Sequence, residues 1–281
     1  MKRSKFAAGA IAVSLAWGFT AAIASVVPDD GALSVSPTDA TQMRLRPGGI
    51  GHQLIVPYYT AQNGNATFLN IVNTDGVNGK AVKIRFRSGM NADIVLDFQL
   101  YLSPGDVWVA TLSQGSNGRA LLTTNDKSCS LPLNVGAGAG QSFLTSRLPS
   151  EGDAELASLT REGYVEIITM ANIPAIQPAA DGSVSAASNP LFTAIKHVAG
   201  VAPCTPATLN GLATDPQTTS AAYAMGLRAP TASLLANWII LDIPRSAASS
   251  GEAMAIIAAG ADNAPARGNM VFFPQAQQFF H

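Results

Sequence analysis

The sequence predicts an all-β fold: an antiparallel β-sandwich, Ig-like or jelly-roll-like, with long Ala/Gly/Ser-rich insertions that carry short helices. Three observations lead there. From Arg46 onward, short runs rich in Val, Ile, Leu, Phe and Tyr are separated by clusters of Gly, Asn, Asp and Pro. Within several runs, apolar and polar residues alternate with the period of two that a half-buried strand requires. The connections are only a few residues long, too short for the helical crossovers that parallel strands need.

The elements follow in chain order. Residues 1–24 read as a signal peptide. A basic start, Met1-Lys2-Arg3-Ser4-Lys5, precedes the uncharged run "FAAGAIAVSLAWGFTAAIA", and Ala22-Ile23-Ala24 has the small-x-small form of a cleavage site, placing the cut between Ala24 and Ser25. Residues 25–45 are polar and turn-rich and read as a flexible leader or an edge element. The β-sandwich domain, residues 46–281, then begins. Strands are expected at 53–60, 66–74, 80–88, 93–102 and 106–113. The turns "QNGN", "TDGVNG", "SGMNA" and "SPGD" between them are read as hairpins.

Insertions rich in Ala, Gly, Ser and Pro follow at about 132–162 and 175–230. "EGDAELASL" (151–159) reads as a helix with acids early in the run. "NPLFTAIKHV" (189–198) reads as a second, with Asn189 as cap and Pro190 at the first helical position. Strands return at 162–171, 232–243, 251–260 and 268–275.

The clearest alternation lies in 80–102. Val82, Ile84 and Phe86 share one face of their strand, and Lys83, Arg85 and Arg87 share the other. In the next strand Ile94, Leu96, Phe98, Leu100 and Leu102 oppose Asp97, Gln99 and Tyr101. Folded as a hairpin about Asn91, Phe86 faces Leu96, Ile84 faces Phe98, Arg85 faces Asp97 and Lys83 faces Gln99. Burying each apolar side chain is worth roughly 1.5–3 kcal/mol, against about 0–1 kcal/mol for an exposed ion pair. The charges are therefore expected on the solvent side of the sheet, where Lys83, Arg85 and Arg87 form a candidate interaction face.

Composition excludes several functions. The chain has 281 residues, 47% of them hydrophobic and 12% charged, so it can bury a core and is not a disordered chain. Cleavage after Ala24 removes Lys2, Arg3 and Lys5 and no acid. That takes the basic count from 17 to 14 against 18 acids, a formal net charge of −4. A mildly acidic surface repels phosphate backbones, so no nucleic-acid partner is expected. Cys129 and Cys204 are the only cysteines and have no CxxC spacing or nearby His, so they read as one disulfide in an oxidising compartment. Closing so long a loop is worth about 4 kcal/mol in the chain-entropy model.

The chemistry-bearing motifs are sparse. His52, His197 and His281 fit no metal-ligand spacing. A Ser-His-Asp set would have to be assembled from distant residues around His52 or His197. "GAGAGQS" (136–142) lacks the third glycine of a dinucleotide fingerprint and reads as a loop, and there is no GxSxG elbow. Asn73, Asp75 and Asn78 gather oxygen atoms in "NTDGVNGK" and form a calcium candidate without the EF-hand pattern. Asn, Asp and Gly there also suit a tight turn. No other cofactor, no catalytic residue and no enzyme activity are expected. Tyr58, Tyr59 and Trp108 offer a stacking platform for a surface glycan, against a role in the core.

The stretches "LIVPYYTAQNGNATFLNIVNT" (54–74), "GKAVKIRFR" (79–87), "FQLYLSPGDVWVA" (98–110) and "LTTNDKSCSLP" (122–132) together resemble a family of beta-proteobacterial cell-surface proteins of the surface-layer (S-layer) type. "NWIILDIP" and "GNMVFFPQ" resemble it more loosely. The resemblance implies an exported structural protein of a Gram-negative bacterium, at the cell surface or outside the cell, that associates with copies of itself on the outer membrane. It implies no catalytic residues. The competing expectation is a secreted sandwich that binds a surface glycan.

Overall fold

The computed structural model describes residues 25–27, 40–46, 49–149, 152–181, 183–260, 266–273 and 275. The signal peptide, Ala24 and His281 lie outside the described residues. The chain forms two stacked antiparallel sheets and no barrel, as the alternation predicts.

The strands are β1 (Ser25–Val27), β2 (Gln42–Arg46), β3 (Gln53–Thr60), β4 (Asn65–Asn73), β5 (Gly79–Ser88), β6 (Ile94–Leu102), β7 (Val107–Gln114), β8 (Ala120–Thr123), β9 (Cys129–Leu131), β10 (Gln141–Ser142), β11 (Glu162–Ile173), β12 (Ile176–Pro178), β13 (Val184–Ser188), β14 (Leu234–Asp242), β15 (Ala247–Glu252), β16 (Met254–Ala259) and β17 (Met270–Phe272). The helices are α1 (Asp153–Leu159), α2 (Pro190–Ile195), α3 (Pro206–Leu209) and α4 (Thr219–Ala224).

The first sheet has six strands in the order β10-β8-β7-β4-β14-β15, and the second has seven in the order β2-β16-β3-β11-β5-β6-β9. Three of the four short connections expected as hairpins are not hairpins. β3 and β5 lie in the seven-stranded sheet, while β4 and β7 lie in the other, so the chain crosses between sheets at 61–64, 74–78 and 103–106. Only "SGMNA" joins paired strands, β5 and β6. A few residues suffice to turn a corner between stacked sheets as well as to close a hairpin, so loop length could not separate the two. The polar leader 25–45 also contributes strands. β1 pairs with β17, and β2 is the edge strand beside β16.

The β5–β6 register is the expected one: Phe86 pairs with Leu96, Ile84 with Phe98, Arg85 with Asp97 and Lys83 with Gln99. Val82, Ile84 and Phe86 point between the sheets, where they meet Leu69, Ile71, Trp108 and Leu112 from the facing sheet. β11 lies between β3 and β5 and starts at Glu162-Gly163. A Cβ on Gly163 would lie 1.8 Å from the Arg87 carbonyl oxygen, so only glycine lets these strands approach.

A third layer covers the outer face of the seven-stranded sheet. Segment 190–227 and strand β17 bury Leu191, Ile195, Leu209, Tyr223, Leu227, Met270 and Phe272 against Ala81, Tyr101, Met170 and Ala171. Asn189 caps α2, its side chain accepting from Leu191 N–H at 3.0 Å. Its amide donates to the carbonyls of Pro174 and Gly226, both at 2.8 Å. Gly226 is tight against Asn189 and has φ +84°, which glycine alone adopts without strain. The disulfide pairs Cys129 in β9 with Cys204 in the α2–α3 connection, with a Cα–Cα distance of 5.2 Å. It ties the third layer to the sheet edge and marks an oxidising compartment.

Replacing both cysteines by serine is expected to cost about 2–4 kcal/mol. Urea unfolding followed by hydrogen exchange checks this, with amides of 190–227 losing protection before those of β5 and β11.

Candidate functional site

The expected basic face is not a solvent face. Lys83 has no exposed surface, and Asp97 and Gln99 are also buried. The side chains of Lys83, Asp97, Gln99 and Tyr101 stay on the outer side of their sheet, as the alternation requires, but β17 and residues 273 and 275 lie over them. Lys83 Nζ pairs with Asp97 Oδ2 at 2.8 Å and donates to Gln275 Oε1. Gln99 donates to the Phe273 carbonyl at 2.8 Å and accepts from the Tyr101 hydroxyl.

Asp97 therefore leans toward Lys83 rather than toward Arg85 directly opposite, which stands 3.9 Å away. The Arg85 guanidinium instead stacks over the Phe273 ring at 4.0 Å. Arg87 pairs with Glu166 at 2.8 Å. Burial pulls the Lys83 pKa down and the Asp97 charge opposes the shift. The cations are thus partnered within the chain and do not present a free basic patch. The sequence signal that was missed is Tyr101, a large side chain on the same face as Asp97 and Gln99.

The calcium candidates surround a lysine. Asp75 Oδ1 accepts from the backbone N–H groups of Val77 and Asn78, each at 2.9 Å. Its Oδ2 accepts from the Asn78 amide and from Lys80 Nζ, each at 3.0 Å. Asn73 donates to the carbonyls of Asn78 and Ser103 and accepts from Asp75 N–H, so the three residues close a turn around one another. The Lys80 ammonium stands beside Asp75 where a bound cation would draw on the carboxylate. Burial alone would raise the Asp75 pKa. Hydrogen bonds from Asn78 and Val77, together with the Lys80 charge, overcome it and hold it at about 2. Lys80 has no exposed surface. It also donates to Asn172 Oδ1 and, at 3.0 Å, to Thr231 Oγ1. Among the described residues no group of three or more His, Cys, Asp or Glu converges.

The histidines take separate roles. His52 is buried between β16 and the loop at Pro230. Its Nδ1 accepts from Ala258 N–H at 3.1 Å and its Nε2–H donates to the Pro230 carbonyl at 3.1 Å, which fixes the neutral tautomer. His197 does meet a serine and an acid: its Nδ1 lies 2.8 Å from Ser103 Oγ and 3.4 Å from Asp106 Oδ2. One ring nitrogen faces both partners, whereas acyl transfer needs the two nitrogens divided between nucleophile and acid. Asp106 Oδ2 also accepts from Ser103 N–H and from the hydroxyls of Ser103 and Ser128, as a turn-closing carboxylate does.

The glycan platform does not assemble. Tyr59 and Trp108 are buried in the core, and Tyr59 donates to the Thr160 carbonyl. Tyr58 alone is exposed, with its hydroxyl on Glu162 at 3.0 Å. Ser25, at the expected cleavage point, starts β1, and its hydroxyl lies 3.5 Å from the Pro216 carbonyl.

Among the described residues, the edge strands β2 and β15 have no strand paired on their outer side and expose most of their side chains. All five residues of β2 are exposed, including Met43 at 77% and Leu45 at 65%. They alternate with Arg44 and Arg46. β15, "AASSGE", is exposed along nearly its whole length and runs through Ala253 into β16. The strand thus changes sheets at a corner, leaving the β2 and β15 edges on the same side of the sandwich. Beside β2 a cavity of about 350 Å³ is lined by Val26, Met43, His52, Ile256, Ala258 and Val271, among others. Among the described residues no helix is long and apolar enough to cross a membrane. Comparison with family models, with curated proteins and with solved structures finds no match to this chain.

Two measurements test the buried polar groups. Lys83→Met strands the Asp97 carboxylate under the third layer and is expected to cost about 3–5 kcal/mol, most of it regained when Asp97→Leu is added. Denaturant midpoints of the two variants check this. Burial, followed by the weaker Lys80 charge, lowers the His52 pKa from 6.5 to about 4, against the raising effect of the Pro230 hydrogen bond. As pH falls from about 6.5 to about 4, the unfolded chain binds a proton that the folded chain does not. Stability is therefore full above that window and falls within it, by up to about 3 kcal/mol. Urea titrations across the window should show the slope, and His52→Gln should flatten it.

Proposed function

We propose that the protein is an exported structural component of a Gram-negative cell surface, S-layer-like, that associates with copies of itself on the outer membrane and performs no catalysis. The observation that carries this reading is the β2 edge: a strand paired with β16 on one side only, with two exposed large apolar residues, next to the exposed edge strand β15. Natural sheets blunt such edges with short strands, bulges, covers or charges. β9 follows that rule here, buried under the third layer beside the disulfide. β2 carries two arginines yet keeps Met43 and Leu45 in the open, and β15 offers side chains little larger than a hydroxyl up to Glu252.

A second copy would cover these edges by strand pairing, with Met43 and Leu45 buried in the contact. The expected export signal, the disulfide, the low charge content and the resemblance of 54–132 to surface-layer proteins support the same reading. The glycan-binding alternative keeps only Tyr58 as an exposed aromatic of its platform.

Size-exclusion chromatography with light scattering on residues 25–281, across a calcium titration, tests the proposal. Large regular assemblies are expected, and Met43→Lys with Leu45→Lys is expected to shift them to monomers at unchanged thermal stability. A wild-type protein that stays monomeric at high concentration in every condition would overturn it.

A further inference from the structure

The cluster at the end of the sandwich contains a set of groups that packing alone does not require. Lys80 in β5 and Asn172 in β11 are direct partners in the strand register. Lys80 Nζ contacts Asn172 Oδ1 and lies 3.0 Å from Asp75 Oδ2. Thr231 N–H donates to the same Asn172 oxygen at 3.3 Å, and Thr231 Oγ1 accepts from the Asn172 amide at 3.2 Å. Lys80 is fully buried and Asn172 is 7% exposed. An amine and a carboxamide are thus held together away from water, with a partly exposed carboxylate against the amine.

We propose that Lys80 and Asn172 join in an intramolecular isopeptide bond, with Asp75 carrying the protons. The Lys80 ammonium gives one proton to Asp75, leaving a lone pair on Nζ. That lone pair attacks Asn172 Cγ, and negative charge develops on Oδ1, toward which Thr231 N–H already points. Asp75 passes its proton to Nδ2, the Cγ–Nδ2 bond breaks, and ammonia departs. The nitrogen of the new amide gives its surplus proton to Asp75, and the ammonia takes that proton away as ammonium. One C–N bond forms and one breaks, charge is conserved, and no oxidant or reductant is needed.

Three features favour the step. Strand pairing fixes the two groups side by side, which replaces a bimolecular encounter with an internal one. The two groups that would join are buried, which limits the access of competing water to Asn172 Cγ. Burial lowers the Lys80 pKa and so favours the neutral amine, while the Asp75 charge opposes it. The product would weld the middle of the seven-stranded sheet across two adjacent strands, a cross-link suited to a protein that bears load.

The test is the intact mass of the full chain, expressed with its leader and purified in the oxidised form, followed by peptide mapping. The expected mass is lower by one ammonia than that of the processed, disulfide-bonded sequence. A branched peptide should join Lys80 to Asn172, with trypsin failing to cut after Lys80. Lys80→Arg, Asn172→Ala and Asp75→Ala should each restore the full mass. A wild-type chain of full mass would overturn the proposal, whatever the variants do. So would an ammonia loss that maps to a succinimide or to a branch between Lys83 and Gln275. A linked Asp75→Ala variant would remove the proton-carrying role from Asp75.

Discussion

Lys83 and Asp97 form an ion pair at 2.8 Å on the outer side of the larger sheet, and neither side chain has appreciable access to water. Two charges taken out of solvent are tolerable only when paired and when their remaining hydrogen-bonding capacity is met. That constraint fixes what lies above them. Gln275 meets the lysine, the Phe273 carbonyl meets Gln99, and the Phe273 ring covers Arg85. The segment that follows β17 is thereby held in one position on the sheet. β17 in turn carries β1, so both ends of the described chain depend on this polar seam.

The rest of the third layer is fastened by different chemistry. Asn189 bridges the start of α2 to Pro174 and Gly226, and the disulfide fixes the α2–α3 connection to β9. Between these points the layer buries ordinary apolar side chains. Among the described residues the sandwich is thus covered on the β9 flank and exposed at β2 and β15. The β6 and β9 flank is covered and cross-linked by the disulfide, while the side chains of β2 and of most of β15 are exposed.

The ends of the sandwich show a related economy. The corner at 74–78 and the corner at 103–106 share Asn73, which bonds to both, and the Asp75 carboxylate draws Lys80 into the same cluster. Turn-forming residues and a buried lysine thus close the end of the core together. The same arrangement brings an amine against a carboxamide, so a structural plug and a reactive pair use one set of atoms.

The sequence by itself determined the local elements. β-branched and aromatic runs located the long strands of both sheets but not β1, β2 or the short strands β8, β9, β10, β12 and β13, Asn189 and Pro190 located α2, and alternation together with the turn about Asn91 specified the β5–β6 partners from Lys83 to Phe86. These are short-range constraints, legible because each acts between neighbours in the chain or across one tight turn. With only two cysteines, the disulfide was equally legible. Tertiary structure alone decided which sheet each strand joined, because a loop of a few residues serves a hairpin and a corner alike. It also decided the fate of the polar face of β5 and β6. Alternation states that two faces differ but not what covers the second. Here the cover comes from Gln275, 192 positions from Lys83, and from small apolar groups scattered through an insertion of low-complexity appearance. The partners of Lys80 were hidden for the same reason: Asp75 is near in sequence, but Asn172 and Thr231 arrive only when the sheets close.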